Sequence, residues 1–352
     1  MDEKKLEGVL FFKGLGNSLL ASETMDVLKE YLGHRPVVSH VNYGRFGDGE
    51  LDDSFSDYAA IKGKNIVFFE CLKDEGVMLR FLQLCWAAKH QYGAARIIAV
   101  LSFMHYRRQD REEYIHEIWR NKWLAKQMAF SGVSHVILAT PHSEQTGLNF
   151  EQEGVVFRAV DLSDLFASRL RPLLHPKSKS GKKVWIYAPD EGSIMRAIGL
   201  ARRLELKVLF SLKNRGFNNQ IELVEMDFRK IEGIKEQFSF FSDLEYATAE
   251  LVDESVIVMV EDELDSGTTA HKQAEQLRRY GAEEIHMVFT HAVCTDPWRR
   301  RLFNVDNPFS QVIVCNTVPR GEEKRTGGKV HDVFIANSMA SELLPILQSL
   351  TV

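Results

Sequence analysis

The sequence predicts an α/β protein of two tandem domains, each a mostly parallel sheet flanked by helices. Three observations carry that reading. The chain has 352 residues, too many for one ordinary core at roughly 100–200 residues per domain. Short apolar runs alternate with segments of helical period along almost its whole length, the pattern of parallel strands joined by crossover helices. That rhythm is laid down twice.

Taken in order, VLFF, PVVSHV, NIVFF, RIIAVLSF and SHVILAT read as strands of the first half. Between them, SLLASETMDVLKEYLG, GVMLRFLQLCWAAKHQYG and NKWLAKQMAFSG repeat apolar residues at helical spacing, each closing on a glycine suited to a helix C-terminus. VVFRAVDL, KVWIYAP, KVLFSL, VIVMV, EIHMVFTHAV and QVIVCNTV supply the strands of the second half, with SIMRAIGLARRLEL among its helices. GLGNS (14–18) reads as a strand-to-helix turn capped by Asn17 or Ser18, since its spacing fails the dinucleotide fingerprint. The polar segment LLHPKSKSGKK (173–183) is a linker candidate, yet strand signals begin before it. The boundary is therefore placed between residues 1–155 and 156–352, with the last helix a candidate to pack back on the N-terminal half. Residues 216–254 carry fewer strand or helix signals than their surroundings.

Hydrophobic residues make up 45% and charged residues 26% of the chain, an ordinary globular composition. The formal net charge of −5 argues against a general nucleic-acid or anionic-membrane binder. The opening MDEKKLEG does not resemble a secretory signal, and no apolar run approaches the ~20 residues of a membrane span. Cys71, Cys85, Cys294 and Cys315 lie far apart in apolar contexts and form no CxxC pair, so buried thiols in a reducing cytoplasm are expected rather than a zinc or disulfide framework. No Walker A sequence is present, which disfavours a P-loop kinase.

The chemistry concentrates in VIVMVEDELDSGTTAHKQAEQL (256–277). Five apolar residues form a buried strand, and ligands of parallel sheets sit beyond such strand ends. Gly267 allows a tight turn, and successive N–H groups of the Ser266–Thr269 loop with the hydroxyls of Thr268 and Thr269 face the mouth of the following helix, a ready phosphate site. Glu261, Asp262 and Asp265 should repel an anion, but they accept hydrogen bonds from sugar hydroxyls or bind magnesium. A sugar phosphate satisfies both demands. The plainer alternative is a solvated acidic turn followed by a threonine helix cap.

This stretch resembles the phosphoribosyl-diphosphate binding motif shared by phosphoribosyltransferases and ribose-phosphate diphosphokinases. Other segments resemble the diphosphokinases in particular, in the family's order: GRFGDGEL (44–51), HYRRQDRE (105–112), TPHSEQTGLNF (140–150), APDEGSIMRA (188–197), SLKNRG (211–216), FTHAV and CNTVP. The resemblance implies two phosphoribosyltransferase-like domains, an ATP-binding N-terminal one and a ribose-phosphate-binding C-terminal one. It implies Mg²⁺-dependent transfer of the β,γ-diphosphoryl group of ATP to the 1-hydroxyl of ribose 5-phosphate, in a cytoplasmic, dimer-based homo-oligomer, commonly a hexamer. Phe46, Asp48 and Glu50, acting in a neighbouring subunit's site, would meet ATP with Arg108, Gln109 and Asp110. Lys213, Arg215 and Arg108 would serve the transfer. His142 and Asp190 would serve the metal, and Asp190, Glu261, Asp262, Asp265, Ser266, Gly267, Thr268 and Thr269 the acceptor.

The residues support such a transfer on their own chemistry, which needs positioning and charge neutralisation. Arg108 offers bidentate phosphate recognition, Phe46 can stack on a purine, and Gln109 and Asp110 order their loop or touch the nucleotide. Lys213 and Arg215, two apart in an extended segment, point the same way, toward charge developing on the transferred group. Each also has a plain reading: Asp190 as a helix cap, RRQDRE as a solvated helix start, and His142 as a hydrogen-bonded histidine, since magnesium prefers oxygen.

The chain departs from the family at Glu261, where Asp is usual, at Thr140-Pro141, where Asp-Leu is usual, at Leu212, where Asp is common, and in the long segment 216–254. Three alternatives stay open. One is the same transfer onto a larger 5′-phosphorylated ribose such as ADP-ribose. The others are a phosphoribosyltransferase, which has no use for the Phe46–Glu50 and Arg108–Asp110 loops, and a non-catalytic regulatory homologue, which should have lost Lys213 and Arg215.

Overall fold

A computed structural model describes residues 8–111, 116–213, 221–226, 246–247, 252–303, 307–320 and 330–350. The chain divides into two compact units: 1–161 with 316–319 and 334–352, and 162–315 with 320–333.

The first unit runs β1 (Val9–Lys13), α1 (Ser18–Leu32), β2 (Val38–Ser39), β3 (Val41–Asn42), β4 (Ser54–Phe55), β5 (Asn65–Leu72), α2 (Glu75–Trp86), β6 (Arg96–Met104), α3 (Arg120–Phe130), β7 (Val133–Ala139), α4 (Glu144–Glu151) and β8 (Val156–Val160). Its main sheet has the order β2-β1-β5-β6-β7-β8 and every pairing in it is parallel. Such strands are covered on both faces, so β5 reads as an almost unbroken apolar run. Phe12, Phe68, Ala99 and Leu138 share one core with Phe81 of α2 and Leu124 of α3. Across the chain's return, α1 packs against the C-terminal helix Ala336–Ser349, whose buried Met339, Leu343 and Leu347 complement Met25, Leu28 and Leu32. Asn17 caps α1 by accepting from the Leu20 N–H at 3.3 Å. Its amide donates to the carbonyls of Asn316 and Thr317 at 2.9 and 3.1 Å, which ties the returning segment to the first turn.

The second unit runs α5 (Ser163–Lys179), β9 (Val184–Ala188), α6 (Ile194–Leu204), β10 (Lys207–Lys213), β11 (Ile221–Met226), β12 (Tyr246–Ala247), β13 (Val256–Leu264), α7 (Thr268–Arg279), β14 (Glu284–Ala292), α8 (Trp298–Phe303), β15 (Gln311–Cys315) and β16 (Val330–Val333). Its sheet order is β12-β11-β10-β9-β13-β14-β15-β16. Setting aside the antiparallel β11 and β12, the order β10-β9-β13-β14-β15-β16 repeats that of the first sheet strand for strand. The pattern seen twice in sequence is one topology used twice. In each sheet the chain steps outward to one side and then starts again on the other, between β1 and β5 and between β9 and β13. Parallel sheets of this kind take ligands in that crevice.

Three details differ from the sequence reading. VVFRAVDL supplies β8, which pairs with β7, because the short turn after α4 returns the chain beside the strand it left. The units therefore meet at 161/162 and not at 155/156. The linker candidate 173–183 is helical as far as Lys179 despite Pro172 and Pro176. The buried stripe Phe166, Ala167, Leu170 and Leu174 holds the helix together, and each proline removes only one backbone donor. Finally, β13 does not stop at Val260 but runs to Leu264, since β14 continues to pair with it as far as Ala292. Among the described residues no helix is long and apolar enough to cross a membrane.

Candidate active site

At the carboxyl edge of the second sheet, three neighbouring parallel strands deliver the residues singled out above. β10 ends on Lys213, β9 leads through Pro189 to Asp190, and β13 carries Glu261 and Asp262 before the turn Asp265–Thr269. Arg215 lies outside the described residues, as do Gly216, Asn218, Asn219 and most of 216–254.

The turn after β13 has the chemistry to hold an anion. Gly267 sits at φ 72° as the residue before α7, with no side chain capping the helix, so the first N–H groups of α7 have no capping side chain. The Ser266 and Thr268 hydroxyls meet at 3.0 Å. The segment after β14 holds the turn from outside: Thr295 donates to the Asp265 carboxylate, and the Arg301 guanidinium donates to the Ser266 carbonyl at 2.9 Å. Leu302 packs beneath Gly267.

The acids divide by the pleat of β13. Asp262 is buried with the Arg196 guanidinium 3.7 Å from its Oδ1, while Glu261 and Glu263 are half-buried. Asp190 accepts the Ser193 N–H at 3.0 Å and receives the Ser193 hydroxyl on its carbonyl at 2.8 Å. It therefore caps the turn into α6 with one oxygen and keeps a second for a ligand. The cap reading of Asp190 holds, and it leaves room for the ligand reading beside it.

In the first unit, two adjacent strands lead to the other candidate residues. The segment after β6 alternates. Arg107 is 4% exposed and stacks on Phe103 at 4.9 Å, Arg108 and Gln109 face solvent, and Asp110 is 2% exposed. The Asp110 carboxylate receives the Ser143 hydroxyl, and its carbonyl receives the Asn149 amide at 2.8 Å and the Trp119 indole. Asp110 thus orders the loop from inside, and the solvent-facing members of the set are Arg108 and Gln109. Arg108→Ala is expected to raise the KM for nucleotide about tenfold with little change in melting temperature. Asp110→Ala is expected to cost about 1 kcal/mol of stability, because it takes the acceptor from the Ser143 hydroxyl while the carbonyl keeps its bonds from Asn149 and Trp119. Denaturation curves beside initial rates separate the two. His142 follows β7 after Thr140, a non-glycine at φ 34°, and is half-buried.

Phe46, Asp48 and Glu50 form an exposed hairpin tip. It is closed by the Phe46 N–H to the Glu50 carbonyl at 2.9 Å and the Gly49 N–H to the Phe46 carbonyl at 2.9 Å, with Gly49 at φ 95°. Its anchor is not legible in the residue pattern. Arg80 of α2 lies 3.0 Å from Asp53 with both side chains mostly buried, stacks on Tyr43 and donates to the Gly44 carbonyl at 3.3 Å. Arg80→Ala leaves Asp53 buried without its cation and should lower stability by about 2 kcal/mol, measured as a shift in urea midpoint.

Two further buried polar residues escaped sequence reading. Glu70 in β5 accepts backbone N–H groups from Gly16 at 2.6 Å, Cys71 at 2.9 Å and Leu15 at 3.2 Å. It fills the crevice of the first sheet with the protein's own carboxylate. Burial outweighs these bonds and pushes its pKa up to about 7. An acid inside the apolar run NIVFFECL was the available signal. Gln273 is buried on α7, marked only as a polar residue in an apolar stripe.

Comparison with known proteins follows the same outline. The phosphoribosyl transferase domain family matches residues 165–316. A ribose-phosphate pyrophosphokinase of Ralstonia nicotianae is 24% identical over 97% of this chain and 96% of its own length. Another, of Synechococcus elongatus, is 28% identical over 89% of this chain and 83% of its own. Along nearly its whole length the chain is similar to ribose-phosphate pyrophosphokinases, at low identity. The crystal structure of phosphoribosylpyrophosphate synthetase from Mycobacterium smegmatis superposes with a TM-score of 0.77 over 97% of this chain and 99% of that one, at 20% identity. Both units thus carry a phosphoribosyltransferase-like fold, shared with that synthetase.

Proposed function

We propose that the protein transfers the β,γ-diphosphoryl group of ATP to the 1-hydroxyl of ribose 5-phosphate, giving phosphoribosyl diphosphate and AMP. The observation that carries this is the meeting, at the crevice of the second sheet, of an acid-bearing strand with an uncapped glycine turn. The turn suits a 5′-phosphate, and Asp265, Glu261 and Asp262 suit ribose hydroxyls. The relatives named for this activity across nearly the whole chain support the same reading.

In the transfer, the acceptor oxygen attacks the β-phosphorus and the bond to the α-phosphate oxygen breaks, so AMP leaves with that oxygen. Arg108 and Gln109 hold the nucleotide, and the cations of the Lys213–Arg215 segment meet charge on the transferred group. A bound magnesium ion would supply charge neutralisation at the phosphates. Asp190 suits it through the oxygen that Ser193 does not take, and among the described residues no cluster of three His, Cys, Asp or Glu would hold a metal alone. That fits an ion carried largely by substrate phosphates. His142 is a softer donor and is assigned to the metal on family resemblance. Four buried, unbridged thiols fit a reducing cytoplasm.

The exposed apolar Phe46, 54% accessible, supports use of the hairpin tip in a neighbouring subunit of a homo-oligomer. Mixing Lys213→Ala and Phe46→Ala subunits should then restore activity that neither has alone, and no restoration sinks the shared site.

The first test is product analysis with ATP, Mg²⁺ and either ribose 5-phosphate or ADP-ribose, beside EDTA and Lys213→Ala controls. AMP formed in step with phosphoribosyl diphosphate is the expected result. ADP as product would mean single-phosphoryl transfer and overturn the mechanism, and turnover with ADP-ribose alone would move the acceptor to larger 5′-phosphorylated riboses.

A further inference from the structure

The helix that opens on the phosphate turn and the strand that delivers Asp190 are joined by one side-chain amide. Gln273 lies on the buried face of α7 beside Ala270, Ala274 and Leu277, one turn beyond Thr269. Its Nε2 donates to the Pro189 carbonyl at 2.8 Å, and its Oε1 accepts from the Tyr187 hydroxyl at 3.0 Å. The direction of the amide is fixed by chemistry. A backbone carbonyl only accepts, so the nitrogen must face Pro189, which leaves the oxygen to the tyrosine.

Both bonds lie just ahead of Asp190. Holding the Pro189 carbonyl sets the plane of the Pro189–Asp190 peptide, and Ser193 holds the aspartate from the other side, donating its N–H to Oδ1 at 3.0 Å and accepting the Asp190 N–H at 3.2 Å. For packing alone, a leucine or methionine would fill this place without desolvating an amide. What an apolar residue would not supply is a directional link between Asp190 and the turn Asp265–Thr269.

We propose that Gln273 is a positioning residue that sets the spacing between Asp190 and the phosphate turn, and through it the affinity for the phosphorylated acceptor. The inference rests on the acceptor-site reading above. Displacements of about an ångström at a reacting group cost up to ~10²-fold, so a link of this kind reaches the chemistry without touching a substrate.

The test uses the full chain with Gln273→Glu, Gln273→Met and Tyr187→Phe, and measures KM for each substrate, kcat, pH profile and melting temperature. At pH 8 the carboxylate introduced by Gln273→Glu sets a bare oxygen against the Pro189 carbonyl. Its acceptor KM should rise at least about tenfold while the ATP KM stays within about twofold. As pH falls, a proton on that carboxyl restores the donor, so the variant should recover toward the unaltered chain. Gln273→Met should show the raised acceptor KM at every pH, and Tyr187→Phe a smaller rise.

A merely structural role predicts something else. Both KM values would then be unmoved while melting temperature falls, or would rise together without pH recovery, and either result overturns the proposal. The unaltered chain is assayed alongside. If it turns over no 5′-phosphorylated ribose, the acceptor reading fails and this proposal falls with it. Turnover by the unaltered chain with unchanged acceptor KM in the variants defeats the proposal alone.

Discussion

Gly267→Ala is expected to lower kcat/KM for the acceptor by about 10²-fold, on the scale of losing oriented anion donors, while the protein stays folded. Space is not what forbids the methyl. A Cβ at this position would stand 3.6 Å from Leu264 and 3.8 Å from Leu302, ordinary contacts. The backbone forbids it, because φ is 72° and an L-residue pays roughly 1–2 kcal/mol there. The turn relieves that strain by rotating the Ser266–Gly267 peptide, which takes the Ser266 carbonyl away from Arg301 and turns the α7 donors off their common point. A loss of 1–2 kcal/mol leaves an ordinary domain folded, so circular dichroism should change little while steady-state rates collapse. Rates within about threefold of the unaltered chain would mean that the turn does not hold the acceptor's phosphate.

Stability of the protein is expected to fall as pH rises from 4.5 toward 7, with Glu70 the cause. Its carboxyl is held near pKa 7 in the fold, above its unfolded value. The folded state therefore binds the proton more tightly, and stability present below pH 4.5 is lost progressively as pH passes through the folded pKa. The span is on the order of 2–3 kcal/mol. Glu70→Gln should flatten this dependence. Its amide oxygen keeps the short bonds from Gly16 and Cys71 and gives up only the longer one from Leu15. Urea denaturation of both proteins at pH 5, 6, 7 and 8 should show stability differences that change with pH. Parallel curves would clear Glu70 of the effect.

The strands and helices were legible because burial on both faces of a parallel sheet leaves continuous apolar runs that helical segments cannot imitate. The glycine turn after β13 was legible too, since few purposes put a glycine and hydroxyls after such a run. The alternation within RRQD was not. Nothing in its order says that Arg107 and Asp110 turn inward while Arg108 and Gln109 face out, because that depends on Phe103 below and on Ser143 and Asn149 from α4. Length was misjudged where partners decide it, with β13 extended by β14 and α5 carried past two prolines by its apolar stripe. Arg80 and Gln273 were invisible because each acts on a residue distant in sequence.

The return of the chain to the first unit has a consequence for biosynthesis. The face of α1 that carries Met25, Leu28 and Leu32 is covered by a helix ending at Ser349, and Asn17 waits for carbonyls at 316 and 317. At ordinary rates of translation, about 5–20 residues per second, some 300 residues must be added before those partners exist. The earliest-made α/β layer therefore leaves the ribosome with an uncovered apolar flank, and the later-made unit can finish before it. Until that helix is made, the flank is the part of the nascent first unit open to a chaperone or a neighbouring surface.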